Sequence, residues 1–418
     1  MDQKRVVITG TGVVSCVGNS VAALWDSIVN GRSGLGPITK FDAKDFRTQI
    51  AGEVKDFNIE NYMPAKEARR LDLFCQYAIV AADEAMKQAG LSHDLANCPG
   101  VDQTRVGVLV SSGVGGLKTM EDQCRVLFER GPSKVSPLLI PMMITDMSSG
   151  AVSMRYGAQG PNMCVTTACA SACHSIGESF WMIKRGDADI MICGGAESTI
   201  VPIGFAGFCS MKAMSQRNSE PTRASRPFDR ERDGFVMSDG AGVLIIEELE
   251  HAKKRGANIL AEIIGYGASG DAYQITSPAP GGDGAARALK VAMKHACLNP
   301  EDIGYINAHG TSTDLNDKFE TAAIKMALGQ HAYKVPVSST KSVTGHALGA
   351  AGGIETIICS LVLQKGVLPP TINYENPDPE CDLDYVPNTA RQVSVQTAVN
   401  INLGFGGHNG ALILRRYS

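Results

Sequence analysis

An internal repeat constrains this chain more than any other feature. The stretches "RVVITGTGVVS" from Arg5 and "LAEIIGYGASG" from Leu260 both read as a β-branched strand running into Gly-x-Gly. The helical pattern ending in "DEAMKQAGL" (83–91) returns as "KVAMKHACL" (290–298), and each is followed by an apolar run that breaks at glycine, "RVGVLVSSG" and "DIGYINAHG". A further match sets "CVTTACASACH" against "PVSSTKSVTGH", with Cys169 in register with Lys341 and His174 with His346. At 418 residues the chain exceeds the size over which one hydrophobic core keeps growing. The expectation is two similar α/β halves, 1–256 and 257–418, each built from βαβ-type units, meeting where "ELEHAKKRG" closes a helix.

The repeat bears on the first Gly-x-Gly. "GTGVVS" lacks the third glycine of a dinucleotide fingerprint, and no acidic residue follows at the expected interval, so the pattern predicts a tight strand-to-helix turn. Glycine is abundant, 45 residues, which suits many tight turns and close backbone approaches. With 44% hydrophobic and 20% charged residues, the chain has the makings of a large core. A net charge of -4 argues against a general nucleic-acid binder. No stretch approaches 18 uninterrupted apolar residues and the N-terminus enters a strand at once, so no membrane span is expected. The 12 cysteines, several inside apolar runs such as "IMICGG", read as reduced thiols of a cytoplasmic protein, or of a plastid protein whose leader has been removed.

Three of those cysteines crowd together, Cys164, Cys169 and Cys173. They form no CxxC pair and have no histidine at ligand spacing, which excludes a zinc site. "NMCVTTA" has strand character and "ASACHSIGESFWMIKRG" helical spacing, closed by Lys184, Arg185 and Gly186. Cys169 then sits at the strand-to-helix turn. There the helix dipole and free N–H groups favour a thiolate and can receive an oxyanion. Cys164 and Cys173 are expected in the core. Later glycine- and histidine-rich turns supply partners: "NAHGTSTD" with His309, Thr311 and Thr313; "KSVTGHALGAAGG" with Lys341 and His346, followed by Glu355; and "NLGFGGHNG", a reversal between two apolar strands with Phe405 at its tip. Each histidine alone suits a structural role; as a set they surround a thiol.

Four blocks in this order, "TTACASA", "NAHGTST", "KSVTGHALGAAGG" and "GFGGHN", resemble the signatures of the β-ketoacyl-[acyl-carrier-protein] synthases, the condensing enzymes of fatty acid synthesis. The resemblance runs from "VVITGTGVVS" to the C-terminus. It implies a thiolase-like fold, two pseudo-symmetric halves in a five-layer α-β-α-β-α sandwich, in a homodimer.

The resemblance also assigns residues. Cys169 matches the nucleophile that carries the acyl chain as a thioester, with its own N–H and that of Phe405 as oxyanion hole. His309 and His346 match the pair at which malonyl-carrier protein loses CO2, Lys341 the lysine ordering their electrostatics, and Glu355 its acidic partner. Thr311 and Thr313 match positions that hydrogen-bond the pantetheine arm, while Val114 and Phe208 match positions in the acyl-binding region. Lys66, Arg69 and Arg70, at helical spacing in "PAKEARRLDLF", together with Lys134 and Lys212, match a basic surface for the acidic carrier protein. No cofactor or metal is implied beyond the phosphopantetheine that the carrier protein brings, and neither nucleic acid nor membrane is an expected partner.

Decarboxylation generates the carbanion itself, so two neutral donors serve where a thiolase uses a second cysteine as base. Histidine at 346, where chain-starting relatives place the asparagine of Cys-His-Asn, favours elongation. "SSGVGGL", "SDGAG" and "NPDPECDLDYVPN" resemble the type II synthases, and Val114 stands where that subtype usually has isoleucine. His408 departs from the threonine of many bacterial members. A type I synthase, a polyketide-type ketosynthase and a non-catalytic chain-length partner subunit are the alternatives. "CASA" in place of "DTACSSS" argues against a modular polyketide domain, and the complete Cys-His-His set argues against a non-catalytic subunit.

Overall fold

The structure is a computed structural model and describes residues 4–417. Among these, one mixed sheet of nine strands runs through the molecule. Its strands are β1 (Val6–Ser15), β2 (Val106–Ser111), β3 (Ile190–Glu197), β4 (Gly240–Glu248), β5 (Ala261–Gly270), β6 (Ile306–Asn307), β7 (Val337–Ser338), β8 (Thr397–Gly404) and β9 (His408–Arg415). The spatial order β2-β3-β4-β1-β5-β9-β8-β6-β7 is the repeat made visible. The four N-terminal strands are mirrored in order by β6-β8-β9-β5, and the halves join where β1 and β5 pair antiparallel, Val6 opposite Ile263.

Six helices complete the layers: α1 (Leu73–Gln88), α2 (Met147–Tyr156), α3 (Ser171–Arg185), α4 (Asp283–Ala296), α5 (Asp314–Leu328) and α6 (Ala351–Lys365). Alternate strand residues bury opposite faces, as period-2 geometry requires. In β4, Val243 and Ile245 pack under α1 and α2, whereas Leu244 and Ile246 face the central helices α3 and α6. In β9, Ala411 and Ile413 pack under α4 and α5, and Leu412 and Leu414 turn inward. The result is the thiolase-like α-β-α-β-α sandwich. The segment 348–365 is apolar and long enough to cross a membrane, yet 89% of it is buried inside this central layer.

Several sequence expectations change here. The repeated Gly-x-Gly is no turn: Gly10 and Gly12 lie within β1, and Gly265 and Gly267 within β5. A Cβ at any of them would collide with a carbonyl oxygen of the covering helix, Ala85 and Ala81 in α1, or Ala292 and Ala288 in α4. The glycines let the outer helices lie flat on the sheet. "NMCVTTA" forms no regular strand, its ladder being reduced to one bridge between Asn162 and Val108, parallel like the β6–β7 pairing it mirrors. Cys173 is fully buried as expected, but Cys164 is only half-buried, its Sγ reaching the Thr145 carbonyl at 3.5 Å. The basic residues 66–70 do not begin the long helix. They occupy a separate turn, Ala65–Ala68 capped by Arg69, and α1 starts after Asp72, whose carboxylate turns away to accept the Thr119 N–H at 3.0 Å.

The repeat register also shifts. Both central helices are preceded by a 3-10 turn, 168–170 and 348–350, and end at a left-handed glycine, Gly186 and Gly366. Cys169 therefore corresponds to Gly349, not Lys341, and His174 has no histidine counterpart.

Candidate active site

Cys169 stands in the 3-10 turn at the head of α3, where the preceding residue, Ala168, is forced to φ 50°. Left-handed backbone at a non-glycine residue is strained and persists only where its surroundings enforce it. Here Ser171 Oγ closes the turn, accepting the Thr167 N–H at 2.9 Å and donating to the Ala168 carbonyl at 2.7 Å, and the end of β8 lies directly against it: a Cβ on Gly404 would lie 2.6 Å from the Thr167 carbonyl oxygen and 3.3 Å from the Cys169 nitrogen. The β8–β9 hairpin thus brings Phe405 over the cysteine, and the backbone N–H groups of Cys169 and Phe405 both favour charge on its sulfur.

Cys169, His309, His346 and Phe405 line one cavity of about 390 Å³. His309 follows the short strand β6, and His346 follows a short helix, Lys341–Thr344, held by donating its N–H to the Val236 carbonyl at 2.8 Å. The two imidazoles meet edge to face with centroids 5.3 Å apart, and Phe235 packs edge-on against His346 at 5.4 Å. Neither Nδ1 has a protein partner. Burial, reinforced by the charge of Lys341, holds both histidines well below the usual imidazole range, so both are neutral at physiological pH.

Lys341 and Glu355 are fully buried and lie behind the cavity rather than in its wall. The Lys341 ammonium donates to Glu355 Oε1, and Asn402 Nδ2 donates to Glu355 Oε2 at 2.7 Å. Burial pushes the Cys169 thiol up to about 12, the Lys341 charge being the leading opposing influence. The expected thiolate is therefore overturned for the resting protein: the N–H groups act in the expected direction, but desolvation outweighs them.

Thr311, Thr313, Phe208 and Lys212 also line the cavity. The two threonine hydroxyls are 2.9 Å apart, and the Phe208 ring leans toward Phe405 at 6.3 Å. Val114 lies outside the cavity wall, exposed in the segment after β2, and Lys66, Arg69, Arg70 and Lys134 are exposed away from it. His174 is buried beneath the site with its Nδ1 2.6 Å from the Tyr266 hydroxyl, and His408 begins β9. No group of three potential metal ligands occurs among the described residues.

Two buried carboxylates escaped the sequence reading. Glu320 in α5 accepts the N–H groups of His309 and Gly310 at 2.6 and 2.7 Å, fixing the loop that carries His309, and burial pushes it up to about 8. The signal was the polar set Asn316, Asp317, Glu320 and Thr321 on the inward face of α5. Glu197 ends β3, is fully buried, and is pushed up to about 7 by burial. A carboxylate closing the apolar strand "IMICGGAE" was its only trace.

A mixed thiolase-like sandwich with a cysteine under two backbone donors and two neutral histidines defines a condensing-enzyme site. The chain belongs to the beta-ketoacyl synthase family: the family's N-terminal domain model matches residues 3–252 and its C-terminal domain model residues 260–375. It is 50% identical over 417 residues to "3-oxoacyl-[acyl-carrier-protein] synthase 2" of Synechocystis, covering 100% of this chain and 99% of the relative. The protein of the same name from Coxiella burnetii is 49% identical, with 100% and 99% covered. Among solved structures, the ketosynthase of a type II polyketide system in complex with its acyl-carrier protein superposes with TM-score 0.91 at 34% identity, covering both chains completely.

Proposed function

We propose that the chain elongates fatty acyl groups by decarboxylative condensation, working as two thiolase-like halves, 1–256 and 257–418, the first supplying the nucleophile and the second the histidine pair. The observation that carries this is the convergence of Cys169, His309 and His346 in one cavity, with the Cys169 and Phe405 N–H groups directed at the sulfur.

The Cys169 sulfur attacks the carbonyl of an acyl-carrier thioester. The tetrahedral oxygen is received by the two backbone donors, the C–S bond to pantetheine breaks, and the thiol proton ends on the departing pantetheine sulfur. Malonyl-carrier thioester then enters past Thr311 and Thr313, whose hydroxyls suit the amide groups of a pantetheine arm. As CO2 leaves, negative charge grows on the thioester oxygen, where neutral His309 and His346 donate. The carbanion attacks the acyl carbonyl on Cys169, forming the C–C bond; the C–S bond to Cys169 then breaks, releasing 3-oxoacyl-carrier thioester, and the sulfur takes up a proton from solvent. No base is needed for the α-carbon, which fits a site whose histidines are both held neutral.

The acyl carrier protein is the proposed partner, supported by the names of the full-length relatives and by the carrier complex of the structural neighbour. Lys66, Arg69, Arg70, Lys134 and Lys212, all exposed, are its proposed dock. A homodimer in the cytoplasm completes the proposal; Phe128, Ile140 and Met154 are exposed large apolar side chains that a second copy would cover. The chemistry as drawn uses no resident cofactor.

The test incubates the protein with an isotopically labelled acyl-carrier protein and locates the label by mass spectrometry, then adds malonyl-carrier protein. The label is expected on Cys169 and afterwards in a 3-oxoacyl product. No adduct on Cys169, or an adduct that malonyl-carrier protein does not discharge, would overturn the proposal.

A further inference from the structure

The carboxylate of Glu197 has no part in the chemistry above, yet it is fully buried and receives four donors. The Ser112 hydroxyl reaches Oε1 at 2.7 Å and the Val114 N–H reaches it at 3.3 Å, while the N–H groups of Gly113 and Gly349 reach Oε2 at 2.8 and 3.0 Å. Burying a carboxylate is costly unless such donors surround it. The four come from two segments distant in sequence, 112–114 after β2 and the 348–350 turn, which the carboxylate ties to the end of β3.

Both segments border Cys169. Gly113 lies against its turn, a Cβ there falling 3.2 Å from the Ala168 carbonyl oxygen. Leu348, next to Gly349, is held at φ 44° and lines the cavity with Cys169. Leu348 also packs with Cys169, Ile200, Phe205 and Met237 in one apolar cluster, and Ile200 lies just beyond Glu197 on the same chain segment. An acyl chain attached to the sulfur therefore finds an apolar bed that includes Leu348, whose neighbour Gly349 is bonded to Glu197, and Ile200, which follows Glu197 along the chain.

We propose that Glu197 is a positioning residue for the acyl chain: by clamping 112–114 and 348–350 to the end of β3, it sets the bed that long chains need and short chains hardly touch. The inference rests on the reading that Cys169 carries the acyl group. An amide at this position offers one acceptor oxygen and turns an NH2 group toward N–H donors, so the two segments part and Leu348 shifts. An acetyl group barely extends past the thioester carbonyl and loses little.

The experiment measures acylation of Cys169 by mass spectrometry, and kcat/KM for condensation, with acetyl-, octanoyl- and palmitoyl-carrier protein. Glu197→Gln is expected to lower the palmitoyl-to-acetyl ratio of kcat/KM about tenfold, with the long-donor loss already present in the acylation step. Ser112→Ala, which removes one donor and keeps the carboxylate, is expected to move the ratio in the same direction by about two- to threefold, and decides the matter if Glu197→Gln does not fold. Uniform loss across all donors, or an unchanged ratio, overturns the inference. A parent protein with no acyl group on Cys169 overturns the underlying reading instead, and a parent that acylates normally beside variants with an unchanged ratio overturns this inference alone.

Discussion

The turns at the heads of the two central helices are built alike and used oppositely. Ala168-Cys169-Ala170 and Leu348-Gly349-Ala350 share the 3-10 geometry, the positive φ at their first residue and the helix that follows. Each is met by the last residue of a strand from the other half, Gly404 of β8 against Cys169 and Glu197 of β3 against Gly349. Where the strand ends in glycine, the space above the turn stays open and its N–H faces a thiol and a cavity. Where it ends in glutamate, a buried carboxyl group already takes the N–H. Duplication supplied two turns of like geometry; the residue at the end of the opposing strand decides which of them has its N–H engaged by a carboxyl group.

The largest expected effect breaks this asymmetry. Cys169→Ser should cut condensation on the order of a thousandfold, since acyl transfer depends on the sulfur nucleophile. Adding Gly349→Cys to that background should restore nothing, because a Cβ at Gly349 lies 2.6 Å from Glu197 Oε2 and the N–H beside it is engaged. Acyl label on residue 349, found by mass spectrometry, would show the two turns to be interchangeable.

The histidines sharpen the division of labour between the halves. His309→Ala and His346→Ala should each depress malonyl decarboxylation on the order of a hundredfold while leaving measurable acylation of Cys169. Equal loss of both half-reactions, with circular dichroism unchanged, would mean that the C-terminal half also serves acyl transfer.

A pH series tests the resting state of the thiol. A thiol pushed up to about 12 has a thiolate fraction rising about tenfold per pH unit at any lower pH. Alkylation of Cys169 by iodoacetamide, followed by peptide mass spectrometry, should climb with that slope from pH 7 to pH 10 without a plateau. A plateau near pH 8 would mean that the N–H pair outweighs burial after all.

The smallest effect concerns the N-terminal half's outer surface. Charge reversal at Lys66 and Arg69 should raise KM for acyl-carrier protein about severalfold, lessen with added salt, and spare donors on free pantetheine. Equal harm to both donor types would place the dock elsewhere.

Local chemistry in the sequence settled much of this. Cys169 before a helical run, the histidine turns and the glycine hairpin were all legible, because each depends on residues within a few positions of one another. Strand glycines were visible but misread: Gly10 and Gly12 look like turn residues until α1 is seen pressed on them. The repeat was legible as a duplication, while its register was not, since "TGH" and "ACH" match by letter and the positive-φ turns at Ala168 and Leu348 match only by backbone.

By itself, then, the sequence pointed to the duplicated α/β architecture through its periodicity, and its short motifs, through the family they resemble, marked Cys169, His309 and His346 as candidate site residues. The tertiary structure alone decided the protonation of the cysteine, the neutral state of the histidines, and the work of Glu320 and Glu197. Those properties come from burial and from donors far apart in the chain. Desolvation is a sum over everything packed around a group, and no local stretch of sequence carries that sum.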